Sequence, residues 1–229
     1  MTVQIDMISD LVCPWCWLGL KRLEGAIALT ADEFDTQVEF RPFQLDPNVP
    51  PEGVPYKDYM AAKFGSVSEQ EASGQKSRWT QMREALEAYG EAEDIPFRFS
   101  GIPMRPNTLD AHRLLRWAQG QAKGKDVKLA LFRAYFTDHR DIGDADVLTD
   151  IAGSVGLDRS LVADLLAGDA DVETVLREEA LFRQLGISGV PTFIANRKVA
   201  AQGAEDVEAL ANFLRQAAEN YPLEASAEG

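Results

Sequence analysis

Residues 9–19 have the sequence SDLVCPWCWLG, and this stretch decides the fold because it joins a strand to a helix. Before it, residues 3–7 alternate apolar and polar side chains, which is the period of a β-strand. Pro14 suits the first position of a helix, where its missing N–H group leaves no hydrogen bond unmade. The sequence therefore predicts a strand, a turn that carries two cysteines, and a helix that extends to about Leu29.

Strand-like sequence is confined to the two ends of the chain. A second strand is predicted at residues 38–43, and residues 189–201 predict a β-hairpin that turns at Asn196 and Arg197 before a last helix. Residues from about 56 to 185 instead have apolar side chains at helical spacing. Since two strands from either end are too few for a stable sheet, we expect all four to pair in one sheet. The predicted fold class is therefore α/β, in the order βαβ, a large all-helical insertion, and ββα.

The predicted domain boundaries follow from this order. Residues 1–50 and 186–229 are expected to build the two parts of the sheet domain, and residues 51–185 the helical insertion domain. Prolines between residues 47 and 55 mark an irregular exit from the first part.

Composition and charge limit the classes of partner. Against 23 Lys and Arg the chain has 37 Asp and Glu, a formal net charge of -14. Nucleic acids and anionic membranes would repel such a surface, so we expect neither as a partner. The first residues lack the basic leader and continuous apolar core of an export signal, and no apolar run reaches the roughly 20 residues that span a bilayer. We therefore expect a soluble, cytoplasmic protein.

The chain has only two cysteines, Cys13 and Cys16. A disulfide that closes so short a loop constrains little of the unfolded chain, so a purely structural role explains the pair poorly. Redox chemistry and metal binding are the usual roles of a lone Cys-x-x-Cys pair. Zinc would need two further ligands, and the two histidines, His112 and His139, are too far apart in sequence for a zinc-finger spacing. Inert burial is the remaining alternative, and redox exchange is favoured.

A dithiol exchanger needs a nucleophilic thiolate and a second thiol within its reach. Helix positions three residues apart are neighbours, and the free N–H groups and dipole at a helix start stabilise a thiolate. We therefore expect Cys13 to be the nucleophile and Cys16, one turn further on, to be the resolving thiol. Asp10 is expected to be an exposed loop residue, because a carboxylate pointing inward at this distance would oppose the thiolate.

Three segments of the chain carry a resemblance to a known family. The stretch at 9–19 resembles the active-site segment of the DsbA-like family of the thioredoxin superfamily, above all its FrnE branch. That branch is grouped with the 2-hydroxychromene-2-carboxylate isomerases and the kappa-class glutathione transferases. Residues 186–193, GISGVPTF, resemble the cis-proline loop of the family. Residues 107–113, NTLDAHR, are similar to a helix start common in the FrnE and isomerase branch.

The resemblance implies a thioredoxin fold that performs thiol–disulfide exchange through Cys13 and Cys16, on a protein or small molecule that contains a thiol or disulfide. It implies no organic cofactor and no metal, with glutathione possible as a co-substrate. It also implies that the Val190–Pro191 bond is cis and lies beside the sulfurs. The residues expected to contact the substrate around the cysteines are Pro14, Trp15, Val190 and Pro191.

Asn107 and His112 each have two interpretations. Asn107 is expected to cap the helix that follows it, and His112 to be a half-buried packing residue at the flank of that helix's apolar stripe. Alternatively, the resemblance allows both side chains to contact substrate or glutathione.

Two other functions stay open beside disulfide exchange. A glutathione-dependent isomerase or transferase has the same fold, but those enzymes typically carry serine where this chain has Cys13, so the intact dithiol favours redox exchange. A non-enzymatic, chaperone-like protein that holds hydrophobic peptides would not need either cysteine. The direction of redox catalysis and the oligomeric state are left undetermined.

Overall fold

The computed structural model of the chain describes residues 1–65 and 76–223. In chain order, the described strands and helices are β1 (Thr2–Ser9), α1 (Pro14–Leu29), β2 (Asp35–Pro42), β3 (Val54–Pro55), α2 (Tyr56–Phe64), α3 (Arg78–Ala92), β4 (Met104–Arg105), α4 (Leu109–Gln119), α5 (Gly124–Phe136), α6 (Ala145–Ser154), α7 (Arg159–Ala167), α8 (Val172–Gln184), β5 (Thr192–Ala195), β6 (Val199–Gln202) and α9 (Val207–Asn220). This order confirms the predicted succession of a βαβ unit, a helical insertion and a ββα unit. The insertion was predicted to be all-helical, but it also contains the two short strands β3 and β4.

The chain divides into two compact units, Met1–Leu45 with Arg177–Gly229, and Asp46–Leu176. The divisions at 45/46 and 176/177 therefore lie five and nine residues before the predicted boundaries at 50/51 and 185/186. Phe182 explains the shift of the second boundary, because it packs with Ile8 and Phe43 in the core of the first unit. Helical periodicity identified this stretch as helix, but it carries no information about which core the helix joins.

The first unit is built on one four-stranded sheet in the order β2-β1-β5-β6. The β1–β2 pair is parallel, and the β1–β5 and β5–β6 pairs are antiparallel. The predicted single sheet is thus confirmed. Its hairpin turns at Asn196 and Arg197, whose φ angles of 50° and 59° lie in the left-handed region. Two consecutive residues with positive φ are typical of a type I′ turn, whose twist matches the flanking strands.

β1 is a central strand, and its last five residues, Asp6 among them, are buried. Asp6 forms an ion pair with Arg41 of the neighbouring β2 at 2.5 Å. Parallel pairing between β1 and β2 requires a crossover connection, which α1 provides. Because β1 and β2 run in the same direction, their carboxyl ends lie side by side, and β1 leads directly into the cysteine turn.

The second unit is mainly helical, with one short antiparallel pair between β3 and β4. The sequence does not predict this pair, because two residues are too few to show the alternation of a strand. Asp144 and Asp158 cap α6 and α7, since their side chains accept hydrogen bonds from backbone amides in the first turn of each helix. The core of the second unit contains a cluster of stacked and edge-on aromatic rings, namely Trp79, Phe97, Phe99, Phe132, Tyr135 and Phe136.

Within the described ranges, no helix is long and apolar enough to cross a membrane.

Candidate functional site

The two cysteines lie where β1 ends and α1 begins. The Cys13 amide donates to the Asp10 carbonyl at 3.2 Å and closes a four-residue turn, and the Cys16 amide donates to the Cys13 carbonyl at 3.0 Å. Cys13 is the N-cap of α1, with extended backbone angles, and Pro14 occupies the first helical position as predicted. The sulfur of Cys13 therefore stands at the amino-terminal end of a helix of 16 residues.

Both cysteines are free thiols and both are buried. They lie 3.5 Å apart, which is close enough for one thiol to attack a mixed disulfide on the other. Cys13 retains 4% of its surface and Cys16 none. A reagent from solvent therefore reaches Cys13 first, as the assignment of Cys13 as nucleophile and Cys16 as resolving thiol requires.

The second motif lies against the first. The Cys13 thiol donates to the Val190 carbonyl, with 3.7 Å between sulfur and oxygen. The Val190–Pro191 bond is cis, which confirms what the family resemblance implied. A hydrogen bond of 2.8 Å from the Gly203 amide to the Pro191 carbonyl fixes the position of this loop. Val190 also packs on the core cluster of Ile8, Phe43 and Phe182.

The residues expected to contact substrate differ in exposure. Pro14, Trp15 and Val190 are partly exposed, whereas Pro191 is buried. Pro191 therefore supports the loop from inside, while the three others present the surface around the Cys13 sulfur. Their role in docking stays a prediction.

The expectation that Asp10 is an exposed loop residue is wrong. Asp10 is completely buried, and its Oδ2 accepts a hydrogen bond from the Leu45 amide at 2.8 Å. Leu45 follows β2, so its amide has left the strand ladder and needs a partner from elsewhere. The parallel strands bring this amide beside the cysteine turn, and that neighbourhood is not visible in the local sequence.

Two features adjoin the Cys13 sulfur. The amino-terminal end of α1 presents its free N–H groups and the positive end of the helix dipole to this residue. The Val190 carbonyl accepts a hydrogen bond from the thiol.

Asn107 was expected to cap α4, but the N-cap residue is Thr108, and Asn107 binds the start of the helix from one position earlier. In the second unit its Oδ1 accepts from the Leu109 amide at 2.9 Å, which occupies a free donor at the start of α4. Its Nδ2 donates to the Val49 carbonyl at 2.7 Å. The side chain thus ties the segment after residue 45 to the start of α4. A contact with substrate or glutathione stays a prediction.

His112 is more deeply buried than expected, since only 3% of its surface is exposed. It lies on α4 next to Arg113, which is also buried and was not among the residues predicted from the sequence to be functional. The Arg113 guanidinium is fixed by the Asp110 carboxylate and by three backbone carbonyls, those of Leu165, Gly168 and Ala170. The only sequence signal for this role is an arginine within the apolar stripe of a helix.

Apart from residues 66–75 and 224–229, the chain contains no group of three or more His, Cys, Asp or Glu side chains that could hold a metal ion.

The profile of the DSBA-like thioredoxin domain family matches residues 4–215. The chain belongs to this family. A solved member with a high similarity is a probable DsbA oxidoreductase from Streptomyces coelicolor, with 31% identity and a TM-score of 0.84 over 97% of this chain and 93% of that one.

Two more distant structures have the same fold as this DSBA-like protein. A 2-hydroxychromene-2-carboxylate isomerase superposes with a TM-score of 0.68 at 16% identity, over 97% of this chain and all of that one (100%). The cytosolic disulfide reductase DsbM from Pseudomonas aeruginosa, in a structure with glutathione, gives 0.59 at 16% identity, over 93% of this chain and 98% of that one. At these identities the similarity concerns the fold alone.

Proposed function

We propose that this DSBA-like protein is a thiol–disulfide oxidoreductase in which Cys13 exchanges with substrate and Cys16 resolves the mixed disulfide. The observation that carries the proposal is the pair of free thiols 3.5 Å apart at a helix start, with the Cys13 thiol also bound to the Val190 carbonyl. Membership of the DSBA-like family supports the same chemistry.

In the reducing direction, the Cys13 thiolate attacks one sulfur of a substrate disulfide. The S–S bond of the substrate breaks, the leaving thiolate takes up a proton, and a mixed disulfide forms on Cys13. Cys16 then loses its proton and attacks the Cys13 sulfur, which releases the second substrate thiol and leaves a Cys13–Cys16 disulfide. Two electrons pass from the protein to the substrate, and the oxidising direction is the same sequence in reverse.

The residues around Cys13 support specific parts of this mechanism. The start of α1 stabilises the thiolate that attacks. The partly exposed Trp15 and Val190 flank the sulfur and offer an apolar surface and backbone groups to an extended substrate segment. No organic cofactor or metal takes part in the proposed reaction.

Glutathione is the small thiol that we propose as an exchange partner. Support comes from DsbM, a cytosolic disulfide reductase with the same fold whose structure was solved with glutathione. The same relative supports a cytoplasmic location, where free thiols are kept reduced.

An equilibrium redox titration of the purified protein against glutathione tests the proposal. We expect a reversible two-electron transition in the wild type and its loss in Cys16→Ser and in Cys13→Ser. Cys16→Ser should accumulate a stable glutathione adduct on Cys13, detectable by mass spectrometry, whereas Cys13→Ser should accumulate little. This difference assigns the two roles, because only the nucleophile forms the adduct when its partner is missing.

Two results would contradict the proposal and point to the alternatives. Glutathione binding that is tight and independent of Cys16, without a redox transition, would indicate the isomerase or transferase function. Peptide holding that is unchanged when both cysteines are serine would indicate the chaperone-like function.

A further inference from the structure

We propose that Thr192 is a positioning residue for disulfide exchange, because its hydroxyl group fixes the backbone of Val190 beside the Cys13 sulfur. Thr192 is the first residue of β5, and only 2% of its surface is exposed. The inference deepens the proposed function and rests on it, since it concerns the thiol that reacts with substrate.

Three consecutive carbonyl groups in the loop before β5 have different partners. The Gly189 carbonyl accepts a hydrogen bond from the Thr192 hydroxyl at 2.8 Å. The Pro191 carbonyl accepts one from the backbone amide that follows β6, also at 2.8 Å. The Val190 carbonyl between them accepts from the Cys13 thiol, with 3.7 Å between oxygen and sulfur. The loop is thus held on both sides of the carbonyl group that contacts the reacting thiol.

The Thr192 hydrogen bond acts on a whole peptide unit. The unit between Gly189 and Val190 is planar and trans, so its carbonyl and its N–H group point in opposite directions. Holding the Gly189 carbonyl therefore also sets the direction of the Val190 N–H group. Val190 is partly exposed, and an extended substrate segment pairs with a protein backbone through such N–H and carbonyl groups. Thr192 thus orients one backbone group that Val190 offers to a substrate and anchors the residue whose carbonyl contacts Cys13.

Thr192 is a rigid support for this loop. In the sheet it pairs with Ile8 of β1 on one side and with Gln202 of β6 on the other. A threonine side chain has few rotamers, because its Cβ atom is branched. Since β1 leads into the cysteine turn, the strand that positions Cys13 also pairs with the residue that positions Val190.

Loss of the hydroxyl group should release the loop. Gly189 is partly exposed, so its carbonyl can turn toward water once its partner is gone. Such a rotation of the peptide unit would move Val190 away from the position at which it contacts the Cys13 thiol. The expected consequence is slower formation of the mixed disulfide.

The test is the rate at which the reduced protein forms a mixed disulfide with oxidised glutathione, measured in a Cys16→Ser background by acid quenching and mass spectrometry. Thr192→Val removes the hydroxyl group with little change in volume. We expect it to lower the second-order rate constant about two- to tenfold, which corresponds to one hydrogen bond. Thr192→Ser retains a hydroxyl group, so its rate constant should stay close to that of the parent.

Thr30→Val is the matched control. Thr30 is also buried, and its hydroxyl donates to the Ala26 carbonyl at 3.0 Å, at the opposite end of α1 from the cysteines. We expect this variant to lose stability in urea denaturation but to keep the rate constant of the parent. If Thr192→Val does not fold, Thr192→Ala, which also lacks the hydroxyl group, replaces it.

Equal rate constants in the parent and Thr192→Val would overturn the inference, as would a Thr192→Ser protein as slow as Thr192→Val. An equal fall in Thr30→Val would also overturn it, because lost stability would then explain the slower reaction. A parent protein that forms no mixed disulfide would instead contradict the proposed function, so the two failures are distinguishable.

The residual dipolar coupling of the Val190 N–H group reports its direction without any substrate. We expect this coupling to change in Thr192→Val and to be retained in Thr192→Ser and Thr30→Val. An unchanged coupling in Thr192→Val would overturn the inference whatever the exchange rates are.

Discussion

The Cys13 thiol donates a hydrogen bond to the Val190 carbonyl across 3.7 Å, although the two residues are 177 positions apart in the chain. The contact joins the end of β1 to the loop before β5, which are neighbours because β1 and β5 pair in the sheet. The sheet thus brings the Cys13 thiol and the Val190 carbonyl into contact.

Gly19 allows α1 to approach the loop that carries Val190. A Cβ atom at this position would lie 2.8 Å from Cγ of Pro191, and the ring of a buried proline cannot move aside easily. We expect Gly19→Ala to lower the free energy of unfolding by about 1–3 kcal/mol relative to a matched helix variant. It should also slow exchange at Cys13, because Pro191 must shift. Urea denaturation and the rate of glutathione exchange measure the two effects.

Gly25→Ala is the matched variant, since it has the same helix-propensity gain in the same helix. A Cβ at Gly25 would meet only the side chain of Val207, at 3.1 Å, and that side chain is partly exposed and can adjust. A Gly25→Ala protein as unstable as Gly19→Ala would show that contact with Pro191 is not the cause.

Asn107 should contribute to stability through its two hydrogen bonds, to Leu109 and Val49. We expect Asn107→Ala to lower the free energy of unfolding by about 1–2 kcal/mol. Asn107→Asp retains the acceptor for the Leu109 amide but cannot donate to the Val49 carbonyl. If the Leu109 hydrogen bond contributes most, Asn107→Asp should lower the free energy of unfolding less than Asn107→Ala does. Unchanged stability together with weaker glutathione exchange would instead support the ligand-contact interpretation.

Arg113 is a buried cation whose removal leaves several acceptors without a donor. We expect Arg113→Met to cost about 3–5 kcal/mol in thermal or urea unfolding, because Asp110 and three backbone carbonyls lose their partner. Arg113→Lys keeps the charge, but it lacks the planar guanidinium group that donates to several carbonyls at once. The stability of Arg113→Lys should therefore lie between that of Arg113→Met and that of the wild type. A loss below about 1 kcal/mol for Arg113→Met would contradict the proposed network, because it is within the range of an ordinary surface change.

Asp171 should make the stability of the second unit dependent on pH. The Trp117 indole N–H donates to its Oδ2 at 2.8 Å, and this hydrogen bond lowers the pKa of Asp171 below its ordinary value of 3.8. A lowered folded-state pKa means that the stabilisation is present above the ordinary pKa and is lost as the pH falls through the folded value. Trp117→Phe should therefore lower the free energy of unfolding by about 1 kcal/mol at pH 7 and by progressively less below about pH 4.

Urea titrations at several pH values between roughly 2 and 7 measure this difference. Asp171→Asn is the matched control, because asparagine tolerates the positive φ of 60° at this position and keeps the acceptor without the charge. In that background the effect of Trp117→Phe should no longer change with pH. A constant difference between wild type and Trp117→Phe would contradict the assignment to Asp171.

Much of the fold and part of the site were predictable because they depend on local patterns. Alternating residues gave β1, Pro14 marked the start of α1, and the motif that contains Pro191 identified the loop opposite the cysteines. Asp10 was not predictable, because its burial depends on the Leu45 amide beyond the next strand. The boundary near residue 177 was missed for a similar reason, since Phe182 joins the core of the first unit from within a continuous helix.

The sequence by itself determined that two thiols stand one turn apart at the start of a helix, since that arrangement needs only a strand pattern, a proline and the spacing of Cys13 and Cys16. Only the tertiary structure decided what surrounds them. The Cys13 thiol contacts the Val190 carbonyl, and the Asp10 carboxylate contacts the Leu45 amide, because the sheet and its core bring distant segments together. Periodicity describes which face of a segment is apolar, but the contacts of that face follow from how the segments pack.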